Sequence, residues 1–259
     1  CQAKGLPRTS TARAEEYANG PVSTLRYLYL LDQTLADVDR YGEPKLPGPV
    51  RSHGDSLQVP VFPTNLLYDR LLFWPMRVET SLEQGVSEQG IFGDNIQRVT
   101  GRGNCSPTIS LVLGAGNVSA IPITDALTKL FQESRAVLLK MNPVNAYLSP
   151  IFARAFASLV DADLLRIVNG GGDLGATMVH YELVHAVHIT GSVTTHDAIV
   201  WGVDAPTEPE QRRQCDPVLR KQISSELGNV TPWIVVPGQY SRGQLTSQID
   251  CLVASIVQN

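Results

Sequence analysis

The spacing of hydrophobic residues changes along the chain near residue 108. Before that point the pattern is mixed, and the segment 23–42 repeats leucine at helical spacing, which predicts an amphipathic helix between Ser23 and Gly42. A loop rich in Pro and Gly follows, and then two short segments of strand character on either side of YDRLLF (68–73). We therefore expect residues 1–108 to form a helical and short-strand region that packs on a core.

From Ile109 onward, apolar runs of strand length alternate with segments of helical spacing. The runs that predict strands are ISLVLGAG (109–116), AVLLKMN (136–142), LLRIVNGGG (164–172), HAVHITGS (185–192) and PWIVVPG (232–238). Such alternation is typical of parallel strands that are covered on both faces by helices. Residues 109–259 therefore predict an α/β domain with a doubly wound, mostly parallel, five-stranded Rossmann-like sheet. Ligands of this architecture bind beyond the carboxyl ends of the strands.

Composition and charge narrow the classes of partner. The chain has 259 residues, 43% of them hydrophobic, and its formal net charge of -4 comes with scattered Lys and Arg, so we do not expect nucleic acid to bind. We find no run of about 18 uncharged apolar residues, and we predict no membrane span. The cysteines are far apart and form no CxxC pair, which indicates neither a zinc site nor a disulfide framework. A reducing compartment is then the default, and we expect a cytoplasmic protein. The cysteines are Cys1, Cys105, Cys215 and Cys251.

Glycines and polar residues stand at the predicted strand ends. Gly114 and Gly116 form a turn typical of dinucleotide binding, although the next strand ends in Lys140 where an acid usually bonds the ribose. Lys140 is thus either a ligand group or a solvated lysine at a strand end. Gly191 and Ser192 precede a helix start that could hold an anion, and a capped helix without a ligand explains the same pattern.

The histidines do not indicate a metal site. His185 and His188 are three residues apart in a predicted strand, so their side chains point to opposite faces, and no HExxH motif is present. Glu226, two residues before Gly228 at the mouth of an apolar run, is either a structural acid or a general base.

Taken together, GAGN, VLLK, the GGGDLG turn, ITGS and SELGN occur in the order and approximate spacing seen in the aldehyde dehydrogenase superfamily, and the segment from Ile109 to Asn259 resembles its coenzyme-binding part. The stretches LGAGNVSAIP, LLKMNPVNAYL and ITGSVTTHDAIVWG resemble a divergent branch. The resemblance implies an oxidoreductase that uses NAD or NADP to oxidise a small-molecule aldehyde through a cysteine thiohemiacetal and thioester.

The resemblance also implies roles for particular residues. Asn117 would help to bind the oxyanion, and Glu226 would activate the water for deacylation. Lys140 would bond the adenosine ribose, and Ser192 would contact the pyrophosphate. Further coenzyme contacts would come from Gly116, Gly175, Gly191, Leu227 and Gly228. We expect Asn117, Lys140, Ser192 and Glu226 to meet in one crevice at the carboxyl edge of the sheet.

The sequence departs from the family in two respects. The catalytic cysteine and the C-terminal catalytic domain are expected beyond Asn259, so we expect this chain alone to be inactive, and we interpret Cys251 as a packed helical thiol. Pro143 stands where the family commonly has the acid that bonds the 2'-hydroxyl, so the pattern does not choose between NAD and NADP. Two alternatives stay open: a non-catalytic dinucleotide-binding or assembly module, and an unrelated α/β protein without coenzyme. The resemblance also allows a homo-oligomer.

Overall fold

The computed structural model describes residues 1–74, 76–92, 107–204, 206, 208–212, 214–228 and 232–258. Cys105 therefore lies outside the described residues. By its internal contacts the chain forms two compact units, Cys1–Leu227 and Gly228–Asn259. The domain boundary predicted between residues 108 and 109 stays a prediction.

The first regular elements form a continuous run of helix that starts at Ala12. Helix α1 (Ala12–Tyr17) leads through a π-helical turn (Ala18–Val22) into α2 (Ser23–Tyr41). Helix α2 ends at Gly42, whose φ of 82° lies in the left-handed region that glycine adopts without steric cost. The helix predicted between Ser23 and Gly42 is confirmed.

A small antiparallel sheet follows α2. It consists of β1 (Arg51–His53), β2 (Ser56–Phe62) and β3 (Val78–Ser81), in the order β1-β2-β3, with α3 (Leu67–Leu72) between β2 and β3. Arg26 of α2 donates to both carboxylate oxygens of the fully buried Asp69 in α3, at 2.8 and 2.9 Å. This ion pair ties α2 to α3, and the helical and short-strand character predicted for this region is confirmed.

A five-stranded parallel sheet forms the centre of the first unit. Its strands are β4 (Ile109–Leu113), β5 (Ala136–Met141), β6 (Leu165–Asn169), β7 (Ala186–Gly191) and β8 (Gln222–Leu227). Their order is β6-β5-β4-β7-β8, and every neighbouring pair is parallel. The chain thus winds outward from β4 to one side and then crosses to the other, which confirms the predicted doubly wound α/β architecture.

Helices connect successive strands of this sheet. They are α4 (Ile121–Phe131), α5 (Ser149–Ala155), α6 (Ala157–Asp161), α7 (Gly172–His180), α8 (Val193–Trp201) and α9 (Pro209–Arg212), and a 3-10 turn (Pro143–Leu148) precedes α5. Helices α5 and α6 are separated at Phe156, which leaves the helical region with φ -113° and ψ 32°. None of the described helices combines the length and apolar character that crossing a membrane requires.

Both faces of the parallel sheet are covered. Leu111 and Val112 are neighbours in the central strand β4, and both have 0% exposure although their side chains point in opposite directions. Val112 packs in a cluster with Ile123 and Leu127 of α4, and Leu111 packs with Val179 of α7. The near-continuous apolar run of β4 is therefore explained by burial from two sides.

The fifth strand is formed by QISSEL (222–227) and not by PWIVVPG (232–238) as predicted. The edge of β7 is already paired by β8, and residues 232–238 adopt no regular structure. Pro232 and Pro237 lack the N–H group that a strand ladder needs. Strand β8 escaped prediction because it lies at the edge of the sheet and carries polar residues on one face, so it is not an apolar run.

The second unit contains α10 (Arg242–Gln258), the helix predicted around Cys251. Cys251 is exposed and not packed as expected. A unit as short as Gly228–Asn259 buries little of its own surface, which leaves the thiol without a core to enter.

Candidate functional site

A cavity of about 460 Å³ opens at the carboxyl end of the parallel sheet, on the face covered by α7 and α8. Gly114, Lys140 and Gly191 line it from the ends of β4, β5 and β7, and Gly175 and Ser192 line it from the helix side. We call this space the edge cavity. It lies where the chain reverses its winding direction, which is the usual ligand position in an open α/β sheet.

Lys140 is the buried cation of the edge cavity. Its side chain is on β5, and the residue is only 8% exposed. Burial lowers the pKa of its ammonium group, because water no longer solvates the charge. Within the described part of the chain, this ammonium group has neither an ion pair nor a hydrogen bond. A desolvated donor without a protein acceptor suits an anionic or hydroxyl-bearing ligand.

Two helix N-termini border the edge cavity. Ser192 is the N-cap of α8, and its Oγ accepts the N–H of Thr195 at 3.1 Å. The capping alternative for this serine is therefore realised, and its hydroxyl lines the cavity as well. Helix α7 begins at Gly172 after Gly171 and has no side-chain cap, so the N–H groups of its first turn are open to a ligand.

The glycines in and near the edge cavity have different structural roles. A Cβ at Gly175 would stand 3.9 Å from Cε of Lys140, at ordinary contact distance, so Gly175 leaves space beside the ammonium stem. A Cβ at Gly116 would come within 2.9 Å of the Asn142 side chain, which real Cβ atoms do not tolerate. Gly116 is thus required by its neighbour in the protein, and it is not among the residues that line the edge cavity.

The structure brings together four of the predicted site residues and separates the others. The four that line the edge cavity are Lys140, Gly175, Gly191 and Ser192. Those outside its lining are Gly116, Asn117, Glu226 and Leu227, while Gly228 begins the second unit. Asn117 is exposed in the loop after β4. We expected Asn117, Lys140, Ser192 and Glu226 to lie in one crevice. Of these four residues, only Lys140 and Ser192 line the edge cavity.

Glu226 lies on the face of the sheet opposite to Lys140. The pairing register connects Lys140 through Leu113 and Ile189 to Ser225, and paired residues of adjacent strands point to the same face. Glu226 is the next residue after Ser225, so its side chain points the other way. It is exposed and stands near Asp125 and His188.

The edge cavity is also lined by polar residues that the sequence did not indicate, namely Asn142, His180 and Thr190. Asn142 follows β5 directly, and its side chain accepts the N–H of Val144 at 3.1 Å. Its position after a buried strand was the available signal, because polar residues there meet at the carboxyl edge. His180 is the last residue of α7, and no local pattern connects it with the strand ends.

Fold and cavity together define an α/β protein with a candidate ligand site at the carboxyl edge of a parallel sheet. No protein-family model matches the chain, and no curated protein matches it. Among solved structures, the chain is similar to aldehyde dehydrogenase C from Pseudomonas syringae in complex with NAD+ and octanal, with a TM-score of 0.44 and 18% identity. The match covers 91% of this chain and 35% of that chain, so this chain spans about a third of that structure's length. A likeness at this level does not place the chain in a family.

Proposed function

We propose that the edge cavity binds a dinucleotide coenzyme, NAD or NADP, and that the chain is the coenzyme-binding part of an aldehyde dehydrogenase-like oxidoreductase. One observation carries the proposal: Lys140 is buried beside a cavity that helix N-termini border, and its ammonium group has no partner among the residues that the structure describes. Folding a protein around such a group costs free energy that a bound ligand with hydroxyl or phosphate oxygens would offset.

The lining of the edge cavity supports a phosphate-bearing ligand. Among the described residues that line it there is no Asp or Glu, so no carboxylate repels an anion there. The open N–H groups at the start of α7 and the first turn of α8 favour negative charge. Lys140 then fits the adenosine ribose, and Ser192 with Gly191 fits the pyrophosphate, as the family resemblance implies.

The choice between NAD and NADP follows from the same lining. An acid beside the ribose would accept a hydrogen bond from the 2'-hydroxyl and would repel a 2'-phosphate. With Lys140 present and no acid among the described lining residues, the edge cavity has no group that repels the 2'-phosphate of NADP. We therefore expect NADP to bind at least as tightly as NAD.

In the proposed reaction, NAD or NADP held by Lys140, Gly191 and Ser192 would supply the hydride acceptor. A cysteine thiolate would add to the aldehyde, the thiohemiacetal would be oxidised to a thioester by loss of hydride, and water would hydrolyse the thioester. Asn117 is proposed to donate to the oxyanion, and Glu226 to take the proton from that water. The geometry supports coenzyme binding by Lys140 more directly than it supports the base role, because Glu226 lies on the opposite face of the sheet.

Calorimetric titration of NAD and NADP into the purified chain tests the proposal. We expect saturable binding of one equivalent, with adenosine diphosphate ribose competing for the same site. Absence of binding at millimolar concentrations of both coenzymes would exclude the dehydrogenase and the non-catalytic dinucleotide module alike. Binding without turnover in a protein that also carries the catalytic cysteine would favour the module.

A further inference from the structure

A second group of polar side chains stands at the carboxyl end of β7 and β8, on the face of the sheet away from the edge cavity. Asp125 comes from α4, His188 from β7 and Glu226 from β8, and one ligand atom from each lies within 4.8 Å of the others. None of these side chains lines the edge cavity. This group, which we call the acid–histidine cluster, is therefore separate from the proposed coenzyme site.

The ring of His188 is oriented by a hydrogen-bond contact at its Nδ1 atom. The residue is only 6% exposed, and its Nδ1 lies 2.9 Å from Oγ of Ser224 on the neighbouring strand. Oγ of Ser224 also accepts from Nζ of Lys129 at 2.9 Å. If Nδ1–H donates to Ser224, Nε2 is left as an acceptor, 3.4 Å from Oδ2 of Asp125 and 3.4 Å from Oγ1 of Thr190. A histidine whose second nitrogen is anchored in this way is the usual arrangement of a metal ligand.

The distance between Asp125 and His188 suits a small divalent cation. Oδ2 of Asp125 lies 3.4 Å from Nε2 of His188, and Thr190 Oγ1 donates to the same oxygen at 2.8 Å. With bonds of about 2.1 Å to nitrogen and oxygen, two ligands at that separation subtend roughly 108° at the cation, close to the tetrahedral angle. The separation of these two atoms is thus the one expected for two ligands of a single cation.

The net charge and the solvent exposure of the acid–histidine cluster also suit a divalent cation. Two carboxylates and a neutral imidazole carry a charge of about -2, which balances a divalent cation. The nearby ammonium group of Lys129 is neutralised by Glu133 at 2.6 Å. Glu226 is exposed, so its carboxylate can rotate to the cation while a fourth position stays open to water.

We propose that Asp125, His188 and Glu226 bind a divalent transition cation of the zinc class. Nitrogen and oxygen ligands in a tetrahedral arrangement with one open position are typical of this metal. Because the ligands come from α4, β7 and β8, the cation ties the edge strand β8 to the helix layer. This inference does not depend on coenzyme binding, and it gives Glu226 the role of a metal ligand in place of the general-base role proposed above.

Zn2+ calorimetry and Co2+ absorption spectroscopy on the folded chain test the inference, with exposed thiols alkylated beforehand. We expect one equivalent of Zn2+ to bind, and the Co2+ form to show the visible absorption of four-coordinate cobalt. Asp125→Asn, His188→Gln and Glu226→Gln should each weaken binding at least tenfold. His185→Gln is the matched control, because His185 lies on the same segment and its Nδ1 accepts the N–H of Ile109 instead.

Two results would overturn the inference: no stoichiometric binding to the wild-type chain, or unchanged affinity in Glu226→Gln and Asp125→Asn. If His188→Gln does not fold, Glu226→Gln decides, because its side chain is exposed and its removal disturbs no core. Lys140→Met should retain the cation, which separates this site from the edge cavity. A bound cation should also protect the amides of β8 from hydrogen exchange in the wild-type chain and not in Glu226→Gln.

Discussion

Replacing Lys140 by methionine should move coenzyme affinity and protein stability in opposite directions. Lys140 is 8% exposed and its ammonium group has no partner within the described residues, so in the free protein this charge is poorly solvated. Methionine keeps a similar length and fills the same space with apolar atoms. The variant therefore removes both the unfavourable desolvation of the ammonium group on folding and a proposed contact with the coenzyme.

The expected loss of affinity follows from the kind of bond that is removed. A hydrogen bond with a charged donor contributes about 1.5 to 3 kcal/mol, so deleting the one ammonium group should weaken coenzyme binding roughly 10- to 150-fold. In the free protein, unfolding should require more free energy than in wild type, and each kcal/mol should raise the Tm by about 2–4 °C in a chain of this size.

The pH dependence provides a second check on the same substitution. Burial lowers the pKa of Lys140 in the folded state below its usual 10.5, so between those two pKa values the unfolded chain binds more protons. Wild-type stability should therefore rise with pH as it approaches 10.5 from below. The stability advantage of Lys140→Met should be largest at neutral pH and should shrink over that alkaline range.

Calorimetric titration with NADP and thermal melts without ligand measure both effects. Lys129→Met is the matched control, since Lys129 is equally buried, lies on the other face and is paired with Glu133 and Ser224. The control should lose stability and keep its coenzyme affinity. Unchanged affinity in Lys140→Met, or equal losses of affinity in both variants, would refute the role assigned to this lysine.

Two further predictions concern the framework. Arg26→Met leaves the carboxylate of Asp69 buried without its charged partner and should lower the free energy of unfolding by about 3 kcal/mol, as measured by guanidinium denaturation. Burial raises the pKa of Asp69, but Arg26 and Thr64 together outweigh burial and hold the pKa below its usual value. Wild type should therefore lose this stabilisation as pH falls through the lowered pKa, and the variant should not. Gly116→Ala should cost roughly 1 to 3 kcal/mol because its Cβ would overlap Asn142, whereas Gly172→Ala, with open space at that position, should stay within about 0.5 kcal/mol; equal costs in denaturant melts would contradict this.

Much of the fold could be predicted from local pattern. Leucine spacing with a terminal glycine located α2, and the apolar runs of buried strands located β4 to β7. The fifth strand could not be located in this way, because β8 pairs on one edge and carries Ser224 and Glu226 towards a polar cluster. The position of β8 depends on its hydrogen bonds to β7, and the hydrophobic pattern within 222–238 does not indicate this pairing.

The edge cavity was also predictable in part, because strand ends can be located from local pattern and strand register cannot. Lys140 lies near the carboxyl end of β5 and Ser192 follows β7 directly. Because the carboxyl ends of parallel strands meet at one edge of the sheet, their common cavity could be expected. The face on which Glu226 lies depends on the register of β8 against β7, and a shift of one residue would reverse it. The approach of Asp125 to His188 depends on how α4 packs on the sheet, and nothing in the spacing of the histidines indicates it.

The central position of β4 has a mechanical consequence. On one side of β4 the chain builds β5 and β6, and on the other side it builds β7 and β8, so Lys140 and Ser192 belong to separately wound halves of the sheet. A ligand that contacts both residues therefore links the two halves of the sheet. A ligand in the edge cavity would then resist sliding of one half against the other, an effect that extends beyond the side chains it contacts.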